Sequence, residues 1–125
     1  MILGVGIDII ETERVAEKIA KEGGFREHVF SISEIAYCEK NTNHAENYAA
    51  RFAAKEALLK ALGTGFTINI SLPEIEVISD DFGKPSFNIS GKLEVIVKDR
   101  NISSIFLSLS HLKSIACAVV IIESL

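Results

Sequence analysis

The segment Arg51-Phe52-Ala53-Ala54-Lys55-Glu56-Ala57-Leu58-Leu59-Lys60-Ala61 decides how this chain is read. It is an alanine-rich helical stretch in which Ala49, Ala50, Ala53, Ala54, Ala57 and Ala61 form a stripe of minimal bulk along one side. A stripe of that kind lets a helix approach a sheet closely, so the charges beside it sit at a packed boundary and not far out in water. Glu56 and Lys60 share one face at i and i+4, and Arg51 and Lys55 share a neighbouring face by the same rule. A carboxylate beside several cations at such a boundary suits a metal ion and a polyphosphate.

Working outward, the helix is predicted over about residues 45–62, ended by Gly63-Thr64-Gly65. Residues 2–10 read as a buried strand, with Leu3, Val5, Ile7 and Ile9 on one side and Gly4, Gly6 and Asp8 on the other. Thr12 is placed to cap a helix over about 13–22, which Gly23-Gly24 ends. Ser31 or Ser33 opens a second helix running through Lys40, and Asn41-Thr42-Asn43 closes it. Pro73 precedes a strand around 74–79, and residues 80–85 turn into a short strand over 86–89. Ser90 caps a short helix over 91–99, although Val95-Ile96-Val97 also reads as a strand. Residues 102–110 and 115–123 are apolar and form a closing hairpin about His111–Ser114. Strand, consecutive helices and terminal antiparallel strands make the class α+β, with a mixed or antiparallel sheet against the long helix.

At 125 residues and 48% hydrophobic content the chain reads as one domain, residues 1–125, with a real core. No apolar run reaches the roughly 18 residues a membrane span needs. The first residues lack a basic region and meet Asp8 early, which argues against a signal peptide and for a cytoplasmic protein. Cys38 and Cys117 read as free thiols without zinc-type spacing. A net charge of −4 argues against nucleic acid as the main partner. Arg14, Lys18 and Lys21 recur at i, i+4 and i+7 on one helix face, with Arg26 close by and five glutamates interleaved. That face is either a solvated surface laced with ion pairs or a docking edge for an acidic protein.

Asp8 carries the second clue. A carboxylate in an apolar strand costs several kcal/mol unless something compensates it, and glycine neighbours leave room for another group to come close. Asp8 either caps a loop, pairs with a lysine, or joins Glu56 as a carboxylate pair suited to Mg²⁺, with water and phosphate oxygens completing the shell. Lys60, one turn beyond Glu56, either neutralises charge on a leaving phosphate or makes a weak intrahelical pair. Arg51 either offers a phosphate its planar donor fork or is an ordinary surface arginine, and taken singly the second reading is favoured. Gly63-x-Gly65 follows a helix and is a cap, not a phosphate loop. Gly83-Lys84-Pro85 is a tight turn from which Lys84 can reach a ligand, and His111 ends the alternating run Leu107-Ser108-Leu109-Ser110-His111.

Taken together, these residues resemble the holo-[acyl-carrier-protein] synthase family of 4′-phosphopantetheinyl transferases. The matching pieces are Gly4-Val-Gly-Ile-Asp8-Ile-Ile-Glu11 with Arg14, Phe30 with Glu34 and Tyr37-Cys38, Arg51 to Ala57 with Lys60 to Gly65, Gly83-Lys-Pro85, and Leu107 to His111. Leu112 departs from the polar residue common in the family at that point. The resemblance implies the 4′-phosphopantetheinyl transferase fold and transfer of 4′-phosphopantetheine from coenzyme A to a serine of apo acyl carrier protein, releasing adenosine 3′,5′-bisphosphate. It implies that Asp8 and Glu56 bind Mg²⁺ and act with Lys60 in catalysis. It makes Arg51, Lys60, Gly83, Lys84, Pro85, Ser110 and His111 the coenzyme A contacts. It also implies a homotrimer with sites at subunit interfaces, where the Gly63–Phe66 and Gly83–Pro85 turns face a neighbour. Because acyl carrier proteins are acidic, Arg14, Lys18, Lys21 and Arg26 become the docking edge. Two rival readings are a non-catalytic binding module of this fold and an unrelated small Mg²⁺ enzyme using another nucleotide.

Overall fold

In a computed structural model, residues 1–21, 23–63 and 70–125 are described. Glu22, at the expected end of the first helix, and Thr64, Gly65 and Phe66, in the expected interface turn, lie outside them. The order is β1 (Ile2–Glu11), α1 (Thr12–Ala20), α2 (Phe25–Val29), α3 (Ile32–Lys40), α4 (His44–Leu62), a 3-10 turn (Leu72–Glu74), β2 (Ile75–Ser79), β3 (Pro85–Ile89), α5 (Gly91–Asp99), β4 (Ile102–His111) and β5 (Ile115–Ser124). The class is α+β as expected, and both described sheets are antiparallel: β1-β5-β4 and β2-β3.

The long helix α4 lies against β1 and β5 because its alanine stripe is matched by glycine. A Cβ on Gly6 would fall 2.6 Å from the Ala61 nitrogen and would overlap the Ala57 carbonyl oxygen. One on Gly4 would overlap the Ala61 carbonyl oxygen in the same way. Two backbones therefore meet with almost nothing between them. Ala53, Ala54, Ala57, Leu58, Ala61 and Leu62 bury against Ala118, Val120 and Ile122 of β5, with Ile75, Val77, Leu93 and Ile102 closing the cluster. At its end, Gly63 takes a left-handed φ of 72° and returns its N–H to Leu59 and Lys60, while Arg100 donates to the Leu62 carbonyl oxygen at 2.7 Å. A second cluster, around Val15, Phe30, Cys38, Tyr48 and Ala116, joins the other helices to this frame.

The glycine contact overturns one expectation. β1 is not buried on its aliphatic side: Val5, Ile7 and Ile9 are 59%, 61% and 67% exposed, whereas Gly6 is buried. Alternation identifies two faces, but the face that packs is the one lacking side chains, since only it admits the helix so closely.

Caps also differ in detail. Thr12 begins α1 and does not cap it; Glu11 occupies the N-cap without a side-chain bond. Ser31 does cap α3, in a reciprocal box with Glu34. Ser90 holds the N-cap of α5 without a side-chain bond, and residues 95–97 are helical. The short α2 was not anticipated, because five residues after Gly23-Gly24 are too few to show a period. Both cysteines are free, and burial pushes the Cys38 thiol up to about 12, which keeps it a small inert hydrophobe. Among the described residues no helix is long and apolar enough to cross a membrane.

Gly6→Ala should destabilise the protein by about 3 kcal/mol, because the new methyl meets helix backbone that cannot rotate away. Equilibrium urea unfolding checks this, and a loss below about 0.5 kcal/mol would mean that α4 and β1 are not held in this contact.

Candidate functional site

The glycine face of β1 ends in Asp8, which is thereby delivered to the flank of α4. Lys60 reaches across from the helix, its Nζ donating to Asp8 Oδ1 and to the Ile7 carbonyl oxygen, both at 3.0 Å. The lysine thus spans helix and strand, and the lysine partner considered for Asp8 is present. Its side chain is 56% exposed against 15% for Asp8, so the ammonium stands at the mouth of the site. Glu56 lies one turn earlier. Burial, and after it the negative charge of Asp8, holds its carboxyl above the usual glutamate value near 4.5, with Lys60 and Lys18 pulling the other way. A carboxyl whose ionisation a neighbouring carboxylate opposes is relieved by a divalent cation between them. No group of three or more His, Cys, Asp or Glu side chains gathers among the described residues. Asp8 and Glu56 offer oxygen alone and leave most of a coordination shell to water or ligand, which fits the hard, poorly dehydrated Mg²⁺.

A second group assembles on another flank of α4. A cavity of about 200 Å³ is lined by Tyr37, Arg51, Ser79, Gly83, Pro85 and His111 among others. Arg51 is buried at 5% relative exposure, its guanidinium carbon lies 4.2 Å from the Tyr37 ring centre, and among the described residues its Nε has no hydrogen-bond partner. A buried cation with an unspent donor facing a polar cavity is suited to an anion. His111 donates from Nδ1 to Glu46 Oε1 at 3.0 Å. The Gly83 turn is tied by Asp80 Oδ1, which accepts from the Phe82 and Lys84 nitrogens at 2.9 Å. The expected nucleotide contacts Arg51, Gly83, Pro85 and His111 therefore come together. Lys84 is exposed at the turn and does not line the cavity, and Ser110, adjacent to His111 on β4, points to the opposite face of the sheet.

The basic edge is partly as expected. Arg14, Lys18 and Lys21 are exposed, although Lys21 follows the end of α1. Lys18 Nζ lies 5.5 Å from the Phe25 ring centre and 6.0 Å from that of Phe52. Together with Lys21, Gly23, Phe25 and His28 it borders a groove of about 500 Å³. Arg26 turns elsewhere, bonded to Glu27 at 2.8 Å and 3.5 Å from Glu39.

Comparison with known proteins identifies the family. The family model for the 4′-phosphopantetheinyl transferase superfamily matches residues 4–120. A holo-[acyl-carrier-protein] synthase of Syntrophus aciditrophicus is 45% identical over 126 residues, covering 100% of this chain and 98% of the relative. The chain belongs to the holo-[acyl-carrier-protein] synthases of the 4′-phosphopantetheinyl transferase superfamily. Solved synthase structures share its fold. The Neisseria meningitidis synthase gives a TM-score of 0.91 at 32% identity, covering 99% of this chain and 100% of that one. The Bacillus anthracis synthase, solved in complex with CoA (3′,5′-ADP), gives 0.83 at 37% identity, covering 100% and 99%. The chain is thus an enzyme of the synthase group, a phosphopantetheinyl transferase.

Within this synthase family member, one residue of the opening segment behaves unlike the charged edge the sequence pattern describes. Lys55 is fully buried and donates to Glu34 Oε1 at 2.6 Å, to the Val29 carbonyl oxygen at 2.7 Å and to the Leu72 carbonyl oxygen at 3.0 Å. Glu34 completes the group by accepting from the Val77 nitrogen at 3.0 Å. Sequence reasoning gave Glu34 and Tyr37 no task beyond belonging to the matched pattern. The Ser31-x-x-Glu34 box marks Glu34 as a capping residue, but nothing local reveals that the same carboxylate receives a lysine from another helix.

Proposed function

We propose that the protein transfers 4′-phosphopantetheine from coenzyme A to a serine of apo acyl carrier protein, in a Mg²⁺-dependent reaction that releases adenosine 3′,5′-bisphosphate. The observation that carries this reading is the meeting of Asp8, Glu56 and Lys60 where α4 crosses β1. Asp8 and Glu56 would hold the ion, and Mg²⁺ bound there supplies a Lewis acid for the pyrophosphate. The serine hydroxyl forms a bond to the phosphorus nearest the pantetheine, and the bridging P–O bond to the nucleotide breaks. Lys60, mobile at its exposed end, stabilises the charge gathering on the leaving phosphate. Arg51, with its unpartnered Nε, takes a nucleotide phosphate, and Tyr37 keeps the guanidinium plane in place. Most of the rate enhancement then comes from positioning and charge.

The two groups lie apart within one chain. Arg51 and Glu56 are five helical positions from each other, about 140° around α4, and the sheet order β1-β5-β4 puts Asp8 and His111 on opposite edge strands. The outer face of that sheet exposes Val5, Ile7, Ile9 and Phe106. An apolar face of that extent marks an interface. A ring of three copies covers it and sets one copy's Asp8–Glu56 group against the next copy's Arg51 cavity, a head-to-tail contact that closes. The carrier protein, acidic by nature, approaches over Arg14, Lys18 and Lys21, where attraction speeds encounter and fixes orientation more than it adds affinity.

Incubation with coenzyme A, Mg²⁺ and apo carrier protein, followed by mass measurement of the carrier, tests the reading; unchanged mass across several carriers rejects it. In that assay Asp8→Asn and Glu56→Gln should each lower Mg²⁺-dependent transfer by about a thousandfold, and wild-type rates in either would remove the metal assignment. Arg14→Glu should raise KM for carrier about tenfold, most at low salt, with coenzyme A affinity unchanged; an unaltered salt dependence would dismiss the docking edge. Ile7→Glu should convert the trimer to monomer in sedimentation, and a wild-type that sediments as a monomer would refute the ring.

A further inference from the structure

We propose that the buried Lys55–Glu34 pair is a positioning device for the Arg51 cavity, setting its walls at the separation that a coenzyme A phosphate requires; this rests on the reading of that cavity given above. Four segments converge on the pair. Lys55 comes from α4, Glu34 from α3, the Val29 carbonyl from the end of α2 and the Leu72 carbonyl from the 3-10 turn before β2. Glu34 also anchors the β2 backbone by accepting from the Val77 nitrogen, and it accepts from the Ser31 nitrogen at 2.9 Å.

Three of the elements tied at the pair, α4, α3 and β2, each also carry a wall of the cavity a few residues away. Arg51 lies one helical turn before Lys55 on α4, and Tyr37 about one turn after Glu34 on α3. Ser79 lies two residues beyond Val77 on the same face of β2, and it pairs with Pro85, which brings in the Gly83 turn. The separations of Tyr37, Arg51, Ser79 and Pro85 are therefore inherited from the bonds at the pair. Apolar packing alone would let α3 and β2 slide on α4, whereas hydrogen bonds fix direction as well as distance. The guanidinium of Arg51 gains most from such constraint, since among the described residues its Nε has no protein partner to hold it. The Asp8–Glu56 group is independent of the pair, because its geometry comes from the contact of β1 with α4 on the far flank of the helix.

The test uses Glu34→Asp, which keeps the charge but draws the carboxylate back by one methylene, and Lys55→Met, which removes the bonds. NMR of the Arg51 Nε–Hε and Tyr37 ring signals, with inorganic pyrophosphate as the probe ligand, reads the cavity directly; steady-state kinetics reads its use. In both variants the two signals should shift and pyrophosphate should bind more weakly. KM for coenzyme A should rise about tenfold, while KM for carrier and kcat at saturating coenzyme A stay within about threefold. If Lys55→Met fails to fold, Glu34→Asp carries the measurement. Signals and pyrophosphate affinity identical to wild type would overturn the proposal, as would a uniform loss of active fraction at unchanged KM, the mark of a purely structural pair. Should the wild-type protein transfer nothing to any carrier, the proposed function fails, and the Arg51 and Tyr37 signals still decide the role of the pair.

Discussion

The close approach of α4 to β1 is the constraint on which the rest depends. With glycine on the strand and alanine on the helix, two backbones come together where most folds place a layer of side chains. Asp8 and Lys60 can then bridge strand and helix at 3.0 Å, and Glu56 feels the charge of Asp8. Any larger residue on the contacting face would pry the helix away and open this group from beneath. The interaction that organises the chemistry is therefore steric and involves no charge at all.

Within α4 a single charged segment is divided among three environments. Lys55 goes inward to Glu34, where two charges removed from water are compensated by each other and by backbone groups. Arg51 is buried as well, but stacked on Tyr37 with a donor in reserve. Lys60 and Glu56 stand at the boundary, the lysine open to solvent and the glutamate half-covered. The same residue types at i and i+4 spacings thus sit in a buried ion pair, against a cavity wall and at a solvent boundary, and neighbouring elements decide which.

Much of this was legible in the sequence, and the exceptions share a cause. The long helix, the first strand and the closing hairpin follow from composition and periodicity, and Asp8 with Glu56 follows from the cost of a carboxylate in an apolar strand. What periodicity lacks is the identity of the packing partner. The exposed aliphatic face of β1 was read as buried because hydrophobicity ranks side chains, while the decisive property was their absence on the other face. Lys55 looked like part of a charged edge because Glu34 comes from another helix. Arg26 is paired at the surface with Glu27 and lies near Glu39, contacts that helix periodicity does not reveal. The five-residue α2 left too little pattern to recognise.

The placement of Asp8 on β1 also bears on when the site comes into being. Among the described residues β1 is an edge strand whose only ladder partner is β5, and the Met1 amino group itself bonds to the Ser124 carbonyl oxygen at 2.9 Å. Helix α4 makes its backbone hydrogen bonds within its own segment, with Glu56 and Lys60 on it, whereas the strand that carries Asp8 joins its sheet only through β5. Such long-range pairing is paid for in loop entropy before it is rewarded. A chain without β5 can therefore display the helix signature while lacking the acid opposite it.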